Sequence, residues 1–225
     1  MNRLASHRLT RGDLTRDAVL QTAMTAFAEA GYDQVSLRAL AIRAGVNQSL
    51  IGYHFGHKRG LYQAVFVAIA GQVRARLDPE MTLVESALHD SAPGGRGRED
   101  EFRALFRLTD GLLDLMTDPG TDAWAQLIIR EQQQPTEAFD VLYSGFMDRL
   151  LTLVARLIGR LRGSMPAPEA RLLAFTVLGQ ILVFRVARAG VLRALAWSDI
   201  DAGAVEAIRA RLHGNLRALL AAPGS

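Results

Sequence analysis

Residues 36–58 read Ser-Leu-Arg-Ala-Leu-Ala-Ile-Arg-Ala-Gly-Val-Asn-Gln-Ser-Leu-Ile-Gly-Tyr-His-Phe-Gly-His-Lys. Ser36 is a good helix N-cap, and Leu37, Leu40, Ala41 and Ala44 fall at helical spacing behind it. Gly45, free to take a positive φ, ends that first short helix. Val46 returns the chain to the core, and Asn47 caps a second helix that runs to about Phe55. Within it Ile51 and Phe55 face inward, leaving Gln48, Ser49, Gly52, Tyr53 and His54 outside. Two short helices, a tight turn and a polar outer edge sized for the DNA major groove make a helix-turn-helix. The competing reading is a small amphipathic helical hairpin inside an ordinary α-domain, and the residues after Phe55 weigh against it.

Continuing through Gly56-His57-Lys58-Arg59-Gly60-Leu61, the stretch from Gly45 resembles the DNA-binding signature of the TetR/AcrR transcriptional regulators. The upstream run Ala23-Met-Thr-Ala-Phe-Ala-Glu-Ala-Gly31 with Tyr32 is similar to the family's first helix and its glycine stop. The likeness covers about residues 14–66. It implies that Ser36 caps the first motif helix and reaches a phosphate, and that Arg38 touches a base or the backbone. It also places Asn47, Gln48, Ser49 and Gly52 on the DNA-facing edge, with Gln48 and Ser49 toward base edges. Tyr53, His54 and Lys58 fall at backbone-clamping positions. Lys58 is the one lysine of the chain, and a helix start plus an ammonium group makes a sound phosphate site. Three residues depart from the usual pattern. Gly52 stands where Tyr is frequent, which removes a groove contact and loosens the helix by about 1 kcal/mol. Leu50 stands in place of Thr, to meet a thymine methyl or pack inward. Ser49 replaces Gly or Pro.

The chain has 225 residues, is 49% hydrophobic and contains no cysteine. That length accommodates a substantial core. Lacking cysteine, the chain has no disulfide and no thiolate metal site, in keeping with a cytoplasmic location. Residues 1–16 are basic and polar without an apolar segment, unlike a signal peptide. The longest uncharged apolar run, Leu172–Phe184, has 13 residues, short of the roughly 20 a membrane helix needs. The expectation is a soluble protein with no membrane partner.

Net charge is +3 but unevenly placed. Residues 1–60 hold Arg3, Arg8, Arg11, Arg16, Arg38, Arg43, Lys58 and Arg59 against Asp13, Asp17, Glu29 and Asp33. The positive excess therefore lies at the helix-turn-helix end, where release of DNA counterions favours it. Arg3, His7, Arg8 and Arg11 form a basic arm, read either as a minor-groove arm or as a solubilising tail.

No strand alternation and no internal repeat stand out, so the fold class is all-α with about nine or ten helices. A three-helix DNA-binding domain with its basic arm (1–58) joins a larger helical domain for effector binding and dimerisation (59–225). The first helix spans about Asp13 to Ala30. The fourth runs from Lys58 through Leu61, Val65, Ile69 and Val73 to about Leu77, where Pro79 interrupts it. A segment over 80–89 leads into the loop Ser91–Arg98. Helices then cover 99–117, 122–133, 136–162, 167–194 and 202–221.

On the helix over 167–194, Leu172, Phe175, Leu178, Gly179, Leu182 and Val186 make one apolar stripe; Leu173, Val177, Ile181 and Phe184 make another. A helix apolar around most of its circumference must be covered on most sides. The final helix adds Val205, Ile208, Leu212, Leu216 and Leu219. In TetR-like regulators these two helices pair with their two-fold copies, so the resemblance implies a homodimer suited to a palindromic operator on double-stranded DNA. Its interface is expected to comprise Leu172, Phe175, Gly179, Leu182, Val186, Val205, Ile208, Leu212, Leu216 and Leu219. The alternative is a monomer with these helices in its core. Arg130-Glu131-Gln132-Gln133-Gln134-Pro135-Thr136 and Leu178-Gly179-Gln180-Ile181-Leu182-Val183-Phe184-Arg185, followed by Trp197, are similar to the C-terminal domain of the CecR-type subgroup. That likeness implies a repressor that responds to a small organic effector.

Effector pockets are mostly apolar with a few placed polar groups. The candidate lining is Trp124, Leu127, Ile128, Glu131, Tyr143, Phe146, Met147, Gln180 and Phe184, any of which can equally be core. No cofactor or metal is expected: His7, His54, His57, His89 and His213 are scattered without ligand spacing. No nucleophile–base set or phosphate loop stands out, which argues against an enzyme. The remaining alternative is an architectural or nucleoid-occlusion protein with this fold and no effector.

Overall fold

The computed structural model describes residues 11–89, 97–163 and 165–221. The basic arm, Arg11 apart, lies outside the described residues, as does most of the loop over 91–98. Every regular element among the described residues is helical: α1 (Arg11–Gln34), α2 (Leu37–Ala44), α3 (Gln48–Phe55), α4 (Lys58–His89), α5 (Arg98–Thr117), α6 (Asp122–Gln133), α7 (Glu137–Leu142), α8 (Asp148–Arg162), α9 (Ala167–Val186), α10 (Arg188–Leu195) and α11 (Ala202–Leu219). The all-α class thus holds. The chain divides into two compact units, 1–70 with 123–142 and 71–122 with 143–225. The expected boundary at 58/59 follows the motif; the compact units follow packing, and the first of them includes a segment distant in sequence.

In the first unit α1 packs on α2 and α3, with Phe27 and Ala23 fully buried beside Leu40, Ile51 and Leu61. α1 carries a kink at Gly31 (φ 80°), so its regular part ends close to the glycine stop read in the sequence.

In the second unit α8 lies against α5 and α9, and α11 against α5 and α9. Leu105 and Leu113 of α5, Val154 and Leu157 of α8 and Ala174 and Ile181 of α9 are almost fully buried. Ile208, Leu212 and Leu216 of α11 are buried there too. This corrects their assignment to a dimer interface, because they are used up in holding α11 to its own chain. The nearly buried Arg185 side chain of α9 donates through Nη2 to the Asp118 carbonyl at 2.8 Å and to Thr121 Oγ1 at 2.7 Å. It thereby satisfies the turn at Asp118-Pro119-Gly120.

Three helix boundaries differ from expectation. α4 does not stop at Pro79 but runs through it to His89. Leu77, Met81, Val84 and Leu88 continue one buried face across the proline. Arg149 spans the same point, bonding Asp78 at 2.7 Å, Thr82 at 3.1 Å and Glu85 at 2.7 Å. Together these offset a lost backbone bond and ring clash of about 3 kcal/mol. The expected helix over 136–162 is α7 and α8 joined by a wider helical turn at Tyr143–Met147. The expected helix over 167–194 divides at Ala187 (φ −107°, ψ 26°) into α9 and α10.

α9 buries Ala170, Ala174, Val177, Leu178 and Ile181 but leaves Leu172 and Phe175 at 67% and 59% exposure. Leu182, Val183 and Val186 are exposed as well. Among the described residues it is the one helix long and apolar enough to cross a membrane by length and composition, although its longest charge-free run is short.

Pro79→Ala restores a backbone donor at a site where the apolar face is already in phase. The variant is expected to be more stable by about 1–2 kcal/mol after the unfolded-state entropy of proline is set against the regained bond. Urea unfolding followed by far-UV circular dichroism measures it.

Candidate nucleic-acid interface

The turn between α2 and α3 is built by its caps. Ser36 Oγ accepts from the Ala39 N–H at 3.1 Å and starts α2. Gly45 adopts the left-handed conformation (φ 65°, ψ 31°), and the Val46 N–H bonds back to the Ala41 carbonyl at 3.0 Å. This is the six-to-one closure of a glycine-ended helix. Asn47 Oδ1 then accepts from both the Ser49 N–H and the Ser49 hydroxyl, each at 3.0 Å. The Ser36 and Asn47 side-chain oxygens are thus acceptors inside the motif, and the Ser49 hydroxyl already donates within it.

Ile51 and Phe55 are buried at 1% and 9% exposure and hold α3 to the unit. Gln48, Ser49 and Tyr53 are exposed, Tyr53 at 83%, while Gly52 and His54 are half-buried. The His54 ring lies 5.2 Å from Tyr53 and 6.0 Å from Phe55. Leu50 is exposed at 39%, so it takes the outward of its two readings. Arg38 on α2 is also exposed. The structure therefore brings the edge of α3 to the surface as the spacing implies.

Turning from α3 into α4 needs two residues the sequence reading passed over. His57 Nδ1 accepts from the Gly60 N–H at 3.0 Å and caps α4. A Cβ at Gly60 would stand 2.2 Å from the Phe55 carbonyl oxygen, so only glycine lets the two helices approach this closely. A glycine in the first turn of a helix is the signal that could have revealed it.

Lys58 is less free than a solvated phosphate ligand. Its ammonium donates to the Asp33 carbonyl at 3.2 Å and sits 4.4 Å from the centre of the Tyr32 ring. Other cations of the head are also held. Arg43 forms a two-pronged pair with Glu29 at 2.8 and 3.3 Å, which lowers the Glu29 pKa. Arg59 pairs with Glu137, and the Arg16 guanidinium lies 5.5 Å from the Phe55 ring centre.

The same unit contains a polar cluster gathered around one buried carboxylate, Glu131, in the stretch 130–137. Glu131 is 1% exposed; it accepts from the Tyr62 hydroxyl at 2.9 Å and from the Thr136 N–H at 2.9 Å. Arg130 Nη1 donates to the Phe27 carbonyl at 3.2 Å. Glu137 accepts from Gln63 at 2.9 Å as well as from Arg59. Burial, and then the bond to Glu131, push the Tyr62 pKa up.

The residues expected to line an effector pocket are placed as follows. Trp124 and Leu127 are buried core, Ile128 is half-buried, and Glu131 has its carboxylate satisfied within the chain. Tyr143 is exposed and donates to Asp148 at 3.3 Å, Phe146 is buried, and Met147 and Phe184 are half-buried. Gln180 Oε1 accepts from Asn215 at 3.0 Å. Two clefts stand out in the second unit, about 240 Å³ beside Leu83, Val84, Ala104, Arg103 and Arg107 and about 500 Å³ beside Leu192, Arg193, Ala196 and Trp197. Neither is lined by the expected residues. Trp124 and Phe146 are taken up in packing, and the buried carboxylate in a local network.

An exposed α3 seated on a capped α2 turn defines a helix-turn-helix DNA-binding protein. Residues 19–65 match the bacterial regulatory proteins of the tetR family, and residues 99–223 match the C-terminal domain of the HTH-type transcriptional dual regulator CecR. The chain belongs to the TetR family of transcriptional regulators and carries a CecR-type C-terminal domain. Its members are regulators and not enzymes. The chain is 26% identical over 200 residues to the HTH-type transcriptional dual regulator CecR of Shigella flexneri, covering 88% of this chain and 87% of that one. Its fold is similar to that of a TetR-family regulator from Mesorhizobium loti MAFF303099 (TM-score 0.60, 20% identity, 94% and 98% of the two chains). It is also similar to AibR in complex with isovaleryl coenzyme A and operator DNA (TM-score 0.59, 16% identity, 89% and 97%).

The raised Tyr62 pKa gives a pH dependence. The stabilisation is fully present below the ordinary tyrosine pKa of about 10 and is lost as pH rises beyond it. Thermal unfolding scanned from pH 8 to 11 is expected to show a falling melting temperature at the alkaline end. Tyr62→Phe should lower stability at pH 8 and flatten that alkaline limb.

Proposed function

We propose that the chain is a homodimeric repressor that binds a palindromic operator in the cytoplasm and is released by a small, largely apolar effector. The observation that carries the DNA-binding half is the exposed edge of α3, with Gln48, Ser49 and Tyr53 outward and Ile51 and Phe55 as anchors. In this reading Gln48 and Ser49 approach base edges, Ser36 reaches a phosphate, Arg38 touches a base or the backbone, Tyr53, His54 and Lys58 clamp the backbone, and Asn47 and Gly52 lie on the DNA-facing edge. Binding of an organic effector, though not its apolar character, is supported by the similar-fold AibR in complex with isovaleryl coenzyme A and operator DNA and by the choline complex of a regulator from Saccharomonospora viridis (TM-score 0.55, 20% identity, 91% and 96%).

A second copy is the proposed cover for α9, whose Leu172, Phe175, Leu182, Val183 and Val186 form a run of exposed apolar side chains. Gly179, Val205 and Leu219 border it. Isolated apolar residues on a surface are ordinary, but a whole helix face is the mark of an interface. Two-fold pairing sets two recognition helices for successive major grooves, about 34–36 Å apart. Effector and operator act by linkage: each weakens the other by the same factor, because they favour different states of the dimer.

Operator fragments recovered by selection from random duplexes test this reading. Gln48→Ala and Tyr53→Ala should each weaken binding at least tenfold without changing the melting temperature, since both side chains are exposed. Phe175→Glu should give monomers in analytical ultracentrifugation and lose binding to a palindromic site. Isovaleryl coenzyme A and choline are the first effector probes. A probe that binds tightly but leaves operator affinity unchanged is not the inducer.

A further inference from the structure

We infer that Glu131, together with Arg130, is a positioning residue for DNA binding, acting on Lys58 through the turn at Gly31-Tyr32-Asp33. The inference rests on the placing of Lys58 at a phosphate. It assigns to two residues of the C-terminal region a part in the head's grip on DNA.

The turn is held from two sides. At Gly31 (φ 80°) a Cβ would lie 2.6 Å from Arg130 Nη1, so the guanidinium covers the glycine directly. The same nitrogen donates to the Phe27 carbonyl at 3.2 Å, near the end of the regular part of α1, where carbonyls lack partners and a cation is favoured. On the other side Glu131 fixes the Tyr62 hydroxyl at 2.9 Å. The Tyr62 ring meets Tyr32 edge-on at 4.9 Å and Phe27 at 5.1 Å, and Phe27 lies 6.0 Å from Tyr32. Tyr32 is therefore wedged between two rings, one of which Glu131 anchors.

That turn is the seat of Lys58. Its ammonium stands 4.4 Å from the Tyr32 ring centre and bonds the neighbouring Asp33 carbonyl at 3.2 Å. An ammonium has three donors, and these two contacts leave capacity for a phosphate oxygen while fixing where the charge stands. A lysine side chain carries about 2 kcal/mol of rotamer entropy, so fixing it beforehand favours phosphate binding. Each link is short, buried or cationic. The chain from Glu131 to Lys58 needs three contacts.

Glu131→Gln is the informative change. A glutamine is uncharged and must put its NH₂ where one carboxylate oxygen stood, so either the Thr136 N–H loses its acceptor or the Tyr62 hydroxyl must turn to accept a weaker, neutral bond. The experiment uses the full chain and a selected duplex, with affinity measured from 50 to 200 mM KCl. Each phosphate contact contributes about 0.9 to the slope of log affinity against log salt. Lys58→Met should reduce the slope by about one, and Glu131→Gln should reduce it by a similar amount, with affinity about tenfold lower at 50 mM. The double variant should fall no further than either single one. Lys58→Arg should retain the wild-type slope. Tyr62→Phe keeps the ring and deletes only the anchored hydroxyl; it should reproduce the Glu131→Gln slope even if that variant folds poorly. A merely structural role would lower the melting temperature and the active fraction but leave the slope at its wild-type value, and that result would overturn the proposal. Slope losses that add in the double variant would overturn it as well. An unchanged slope for Lys58→Met alongside tight wild-type binding would instead refute the placing of Lys58 at a phosphate.

Discussion

Burying a carboxylate is tolerable only when donors surround it, because an unpaired charge in a low-dielectric interior is worth several kcal/mol of destabilisation. Glu131 meets that requirement by drawing the Tyr62 hydroxyl from α4 and the Thr136 N–H and hydroxyl from the turn before α7. Arg130, next in sequence, reaches α1. Residues distant in the chain are thereby made part of the unit that carries α3. A helix-turn-helix of about fifty residues is a marginal fold by itself. Here Arg130 and Glu131 of α6 tie it to α1 and α4.

The electrostatics of that unit are quieter than its composition implies. Arg43 and Arg59 face Glu29 and Glu137, and Lys58 is docked on a tyrosine ring and a carbonyl. The exposed pairs contribute little to stability and are screened by salt. They nevertheless hold long side chains in one place, where a phosphate can compete for them. Exposure at α3 falls instead on Gln48, Ser49 and Tyr53, whose contacts are directional.

How much was legible in the chain can be argued residue by residue. Caps and stops act over three or four positions, so Ser36, Gly45 and Asn47 announced α2 and α3 with their true bounds. The inward pair Ile51 and Phe55 followed from period alone. Pro79 misled because the local penalty of a proline is real; it was outweighed by a buried face that stays in phase and by Arg149, which is seventy residues away in sequence. Glu131 misled in the other direction. A carboxylate in an apolar helix resembles a ligand contact, yet its partners come from α4 and from the turn after its own helix.

The α9 and α11 pair shows the same division most clearly. Their apolar periodicity was plain in the residues, and a helix rich in Leu, Val and Phe must find cover. Periodicity has no means of saying whether that cover is the same chain or another. Folding distributed the answer: Ile208, Leu212 and Leu216 went inward, while Leu172, Phe175 and Val186 stayed outside. By itself the amino-acid order determined the helical class, the recognition motif and the family, because those depend on local spacing and backbone preference. Only the tertiary structure decided which apolar face remains free and what holds Lys58 and Glu131, since both turn on contacts between residues that no local rule connects.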